Sequence, residues 1–144
     1  MEYVDLLITT EDDANDVFGH SGEPAQIAEE LKDRFDLTAC AITLRRIDTV
    51  WTGGWTTIIM ADQLYEDITY DLENVDRVGG GDSFSAGCLY GWLTYEDWEQ
   101  ALKWGNAHSA IKHSIPGDYN WATPEEVERI MAAAQTELRF KIQR

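Results

Sequence analysis

The sequence is poor in positive charge. Its 144 residues hold 11 lysines and arginines against 27 aspartates and glutamates, a formal net charge of −16. A chain this short of bases disfavours nonspecific nucleic-acid binding, because phosphate contacts need Lys and Arg. Long apolar runs are also missing, and no segment approaches the roughly 20 residues that span a membrane. The N-terminus MEYVDLLITTEDD is acidic, unlike a secretory signal. Cysteine is scarce: Cys40 and Cys88 stand alone in the apolar segments TACAITL and AGCLYGW. This speaks against a disulfide framework and reads as two core residues of a cytoplasmic protein. The three histidines, His20, His108 and His113, form no zinc pattern, since no cysteine pair accompanies them.

What is present suffices for one domain with a core. Hydrophobic residues make up 44% of the chain and six residues are tryptophan, which speaks against disorder. The acids are scattered along the chain and not gathered in a tail, although residues 1–36 carry eleven acids against two bases. They read as a solvated surface suited to a salty cytoplasm, where ions screen the self-repulsion, or as an interaction surface.

Periodicity supplies the elements. Tyr3–Ile8 is an apolar run suited to a buried strand. Thr10 follows as a helix cap, with Asp13 at the capping-box position and Gly19 closing the helix. EPAQIAEELKDRFD places Ile27, Leu31 and Phe35 at fourfold spacing on an amphipathic helix, and TACAITL is a second buried strand. A helical crossover between two such strands marks a parallel α/β sheet. The stretch TGGW then reads as a turn, with WTTIIM and LYEDITYDL as antiparallel strands appended to the sheet. Only helix follows: residues 82–93, residues 95–113, and, after the loop PGDYNWAT, a helix capped by Thr123 with Glu126 at its capping-box position. The basic tail RFKIQR is expected to fray.

The stretch DRVGGGDSFSAG, beginning at Asp76, carries the chemistry. A helix N-terminus has unpaired N–H groups and a positive dipole end, so it attracts anions. Glycines there let the backbone approach a phosphate closely. A carboxylate at the same place would repel that phosphate, unless it serves to accept a proton from an attacking hydroxyl. Phosphoryl transfer combines these two features, donors for developing charge and a base aligned with the nucleophile. The plainer alternative is that Asp82 caps the helix and the glycines make a turn. The pattern is not a P-loop, since no Lys-Ser/Thr follows, nor a dinucleotide fingerprint, since the G-x-G-x-x-G spacing is absent.

DRVGGGDSFSAG resembles the signature D-x-x-G-A-G-D-x-F-x-A-G of the ribokinase-like sugar kinases. The variant DRVGGGD, together with ITLR at Ile42–Arg45, EDDANDVFG near the start and KHSIPGDYN at Lys112–Asn120, is similar to 2-keto-3-deoxygluconate kinases in particular. The resemblance implies a ribokinase-like three-layer α/β/α fold: a mostly parallel sheet with an antiparallel extension, followed by a helical C-terminal part. It implies Asp82 as the general base, and Gly79, Gly80 and Gly81 as the anion hole that holds the phosphoryl group. Asp76 would organise the turn, Thr43 and Arg45 would lie near the nucleotide phosphates, and Asn106 and Gly117 would border the adenine pocket. ATP and Mg2+ are the implied cofactors, with a small sugar acid as substrate.

Two departures from the family pattern stand out. Its Asn-x-x-Glu motif, tied to magnesium, falls on Thr10 to Asp13, where Asp13 serves equally well as part of a helix cap. Members of the family also carry an N-terminal half before the strand matched by Tyr3–Ile8. Residues 1–144 are therefore expected to form a single partial domain, the nucleotide-binding C-terminal half of a sugar kinase. Its exposed first strand is expected to pair with itself or with a complementary N-terminal half. The rival reading is a module that binds nucleotide without turnover, or an oligomerising scaffold.

Overall fold

The computed structural model describes the backbone of residues 1–142 and the side chains of residues 1–136. The basic tail of the sequence reading has its side chains outside the described residues. The elements run β1 (Leu6–Thr10), α1 (Glu11–Phe18), α2 (Pro24–Phe35), β2 (Ala39–Ile47), β3 (Thr52–Met60), β4 (Leu64–Glu66), β5 (Tyr70–Glu73), α3 (Gly80–Tyr95), α4 (Trp98–His113) and α5 (Pro124–Ile142).

The crossover through α1 and α2 makes β1 and β2 parallel, with Leu6 opposite Ala39 and Thr10 opposite Thr43. β3 returns antiparallel to β2, and β4 and β5 each pair antiparallel with one half of β3. The sheet is therefore mixed, and the antiparallel extension makes up three of its four pairings.

Side-chain alternation along β2 and β3 builds the three layers. Ala39, Ala41, Trp55 and Ile59 point to one face and pack with Phe84, Cys88, Ala101 and Leu102 of α3 and α4. Cys40, Ile42 and Ile58 point to the other and pack with Ala14 of α1 and Ile27, Ala28 and Leu31 of α2. Burying a side chain such as Phe84 or Leu31 contributes roughly 1.5–3 kcal/mol, so this two-sided filling is what holds the sheet between helices. Both cysteines are free and buried, and burial pushes each thiol up to about 12.

Three readings shift. β1 starts at Leu6, not Tyr3, because the pairing begins where Thr38 and Ala39 donate to the Asp5 carbonyl, and Tyr3 is left 89% exposed. Gly53 and Gly54 of TGGW lie inside β3, and the turn falls before it. A Cβ on Gly53 would come 2.3 Å from the Arg46 carbonyl oxygen, so close approach of the neighbouring strand, not a turn, demands glycine there. The third helix begins two residues earlier than expected, at Gly80.

Candidate functional site

The helix α3 begins without a side-chain cap. Gly79 occupies the N-cap position at φ 80°, a left-handed conformation open to glycine. The hydrogen-bond ladder starts with the Ser83 N–H donating to the Gly79 carbonyl at 2.9 Å, while the Gly80 N–H turns back to the Arg77 carbonyl at 3.3 Å. The N–H groups of Gly81 and Asp82 lie ahead of that ladder, at the positive end of a 16-residue helix.

The three glycines differ in what surrounds them. A Cβ on Gly79 would meet the Asp118 carbonyl oxygen at 2.1 Å, and one on Gly80 would meet the His113 ring at 2.7 Å. A Cβ on Gly81 would meet nothing within 4 Å. Packing thus accounts for the first two, whereas Gly81 faces open space. Asp82 sits on the same first turn, exposed, with no hydrogen bond or ion pair among the described residues.

The turn rests on the last turns of α4 and the loop after it. Ser109 Oγ donates to the Gly80 carbonyl at 2.9 Å, and His108 Nδ1 donates to the Ser83 carbonyl at 2.8 Å. The His113 carbonyl accepts from the N–H groups of Val75 and Asp76, while its Nδ1 donates to the Ser109 carbonyl. The Asp76 carboxylate accepts from the Val78 N–H at 3.0 Å and from the Gly117 N–H at 2.9 Å. Those two hydrogen bonds hold its pKa below the usual carboxylate value. Asp76 and Gly117, 41 residues apart, are therefore one unit that locks the glycine turn to the loop.

Cations gather beside this open helix start. The guanidinium of Arg45 lies 5.3 Å from the ring centroid of Trp55 and has no carboxylate partner among the described residues. Trp55 in turn packs against His113 at 5.5 Å. Burial is the main cause that lowers the His113 pKa, and the nearby charges of Lys112, Arg45 and Arg77 lower it further. Arg77 donates to the carbonyls of Thr49 and Val50, fixing the β2–β3 turn beside the site.

The remaining sequence candidates divide. Thr43 is buried and its hydroxyl donates to the Thr9 carbonyl at 3.4 Å, tying β2 to β1. Asn106 does not border an open pocket. It is fully buried, with its Nδ2 donating to Asp67 at 3.0 Å and its Oδ1 unpartnered, so its polar spacing on α4 serves the interior. Thr10 and Asp13 form a helix cap: the Asp13 N–H donates to Thr10 Oγ1 at 3.0 Å, and the Thr10 hydroxyl donates to the Asp13 carboxylate at 2.8 Å. Among the described residues no three His, Cys, Asp or Glu side chains converge as a metal site. Concave surfaces of about 560 and 540 Å³ lie along α5, lined by Asp67, Tyr70, Lys103, Ile111 and Arg129 among others, and neither includes the glycine turn.

The sequence reading missed the group under the turn: Ser109, Lys112, His113 and Arg77. A signal existed, since KHSIPGD contributed to the resemblance, but it was read for its loop and not for the helical turn before it.

Comparisons with known proteins identify the family and the fold. The profile of the pfkB family carbohydrate kinases matches residues 1–125, and the chain belongs to that family. It is 31% identical over 128 residues to a 2-dehydro-3-deoxygalactonokinase of Haloferax volcanii, spanning 89% of this chain and 38% of that protein. The crystal structure of a 2-dehydro-3-deoxygluconokinase from Thermotoga maritima superposes with a TM-score of 0.86 at 35% identity, over 91% of this chain and 42% of that one. A ribokinase from Thermotoga maritima, at 20% identity and a TM-score of 0.72 over 91% of this chain and 43% of that one, shares the fold. The chain thus spans about two fifths of the length of these relatives.

Proposed function

We propose that the chain carries the phosphate-binding turn and the general base of an ATP-dependent kinase acting on a hydroxyl of a 2-keto-3-deoxy sugar acid. The first turn of α3 supports this reading: it combines open N–H groups, free space over Gly81 and an exposed, unpaired carboxylate. In this reading Asp82 takes the proton of the sugar hydroxyl as that oxygen attacks the γ-phosphorus and the bond to the ADP oxygen breaks. The turn Gly79–Gly81 cradles the transferring group, with the N–H groups of Gly81 and Asp82 as donors and Arg45 adding positive charge from β2. Thr43 and Gly117 act through the backbone they fix, at the end of β1 that Thr43 holds and at the loop tied to Asp76. Asn106 stays in the core.

Magnesium would arrive with the nucleotide and supply positive charge to its phosphates. Asp13 is committed to its cap, so the phosphates themselves would hold the ion. Contacts to the sugar acid would come from a further half of the kinase fold. The edge strand β1 and the outward residues Leu89 and Leu93 of α3, 46% and 78% exposed, offer a face for that half or for a second copy. Among the described residues no helix is long and apolar enough to cross a membrane, and two free buried cysteines fit a reducing cytoplasm.

The test is calorimetric titration with ATP and magnesium, at low and high salt, followed by turnover of 2-keto-3-deoxygluconate with the N-terminal half of a relative supplied. Asp82→Asn is expected to keep ATP binding and lower turnover by about 10²–10⁴-fold, the usual worth of a general base. Binding without turnover in either protein would favour the non-catalytic nucleotide module. A folded chain that binds no ATP would leave only a scaffold.

A further inference from the structure

Lys112 is fully buried, yet it has no carboxylate within ion-pair distance among the described residues. Its ammonium donates instead to two backbone carbonyls, that of Ile115 at 3.1 Å and that of Asp76 at 3.3 Å. A buried ammonium without a direct ion pair is costly and persists where the surroundings use it; here the Asp76 carboxylate feels its charge without touching it. The two carbonyls belong to the two strands of chain that meet at the glycine turn: Asp76 opens the turn, and Ile115 opens the loop whose Gly117 N–H binds the Asp76 carboxylate. The ammonium thus closes a second link between the same two segments, from below. It also sits in the last turn of α4, where its charge opposes the negative end of that helix dipole.

We propose that Lys112 is a positioning residue for phosphate: its ammonium clamps the turn at Asp76 to the loop at Ile115 and supplies an internal positive charge behind the anion-binding N–H groups of α3. The inference rests on the phosphate-binding reading above. Removing the charge while keeping the volume therefore separates a clamp that serves an anion from one that serves the fold. Lys112→Met removes charge and donors, and Lys112→Gln keeps donors to the carbonyls without the charge.

The experiment is calorimetric titration of inorganic tripolyphosphate into the wild type and both variants, each checked for folding by thermal melting. Both variants are expected to lose affinity by roughly tenfold or more, the size typical of a lost charge-assisted contact. In Lys112→Gln, the midpoint of the Asp76 carboxyl, followed by NMR, is expected to rise. Folded variants that bind tripolyphosphate like the wild type would overturn the proposal. A wild type that binds no tripolyphosphate would overturn the phosphate-binding reading itself, and an unmoved Asp76 midpoint would then overturn the clamp as well. A measurement that needs no variant guards against misfolding: the Lys112 ammonium resonance of the wild type is expected to be protected from exchange and to shift at saturating tripolyphosphate. An unresponsive resonance counts against the proposal.

Discussion

The starts of α1 and α3 both carry an acid in the first turn and differ in nearly everything else. At α1, Thr10 accepts from the Asp13 N–H and its hydroxyl donates a hydrogen bond to the Asp13 carboxylate, and Glu11, Asp12 and Asp13 crowd the first turn. The side chains there satisfy the helix donors, and an approaching anion would meet three carboxylates. At α3 a glycine without a side-chain bond takes the cap position and Asp82 is the one acid in the first turn. The cations that the composition grants so sparingly, Arg45, Arg77 and Lys112, gather beside it. A helix start is open to an anion when its capping side chain is missing and the surrounding charge favours the anion; the dipole is common to both ends and decides nothing.

The largest effect should come from closing the open start. Gly79→Ala puts a methyl group against the Asp118 carbonyl in a left-handed conformation. It is expected to cost at least about 2 kcal/mol in urea unfolding and to abolish ATP binding. Gly81→Ala is the counterpart. Its methyl group meets nothing, and alanine in a helix gains up to about 1 kcal/mol over glycine, so stability should hold or rise while ATP affinity falls roughly tenfold. A Gly81→Ala protein with unchanged ATP affinity would break the comparison, because the space over Gly81 would then not be where phosphate lies.

The closed start should answer differently. Thr10→Ala removes the cap and is expected to cost about 1 kcal/mol, with ATP affinity in magnesium unchanged. A magnesium-dependent loss of affinity would show that the start of α1 belongs to the site after all.

Much of this contrast was legible in the residues. Thr10 with Asp13, and Thr123 with Glu126, announced caps by spacing alone, and both form: the Thr123 N–H donates to the Glu126 carboxylate at 2.8 Å. The apolar run TACAITL predicted a buried strand, and β2 is one. The glycines of DRVGGGD marked the site, yet nothing local distinguished Gly79 and Gly80, needed for contacts with Asp118 and His113, from Gly81. Such contacts link residues more than thirty positions apart, beyond any window of spacing. Gly53 and Gly54 read as a turn for a different reason: Arg46, which crowds them, is near in sequence but meets them only once β2 and β3 pair. The resemblance places Asn106 beside the adenine pocket, and only the fold shows it donating to Asp67 from the interior.

The smallest effect is a dependence on pH that α3 should show and α1 should not. Burial first, then the charges of Lys112, Arg45 and Arg77, lower the pKa of His113, so the folded protein resists protonating it. As pH falls through the ordinary histidine value of 6.5, the unfolded chain takes up the proton first, and stability declines. The contribution is complete above that value. Asp76 acts in the same direction lower down: hydrogen bonds from Val78 and Gly117 lower its pKa, so its contribution is present above 3.8 and is lost as pH falls further through the folded value. Urea midpoints between pH 8 and pH 3, on either side of these two values, should therefore fall in two steps. His113→Gln is expected to remove the upper step and leave the lower one, whereas Thr10→Ala shifts the whole curve and keeps both. Tripolyphosphate adds the sharpest version of the test. An anion held beside the turn favours the protonated ring, so it should raise the His113 pKa and shrink the upper step. If that step persists in His113→Gln, it belongs to another histidine, and the cationic surroundings of the open start are not what sets it.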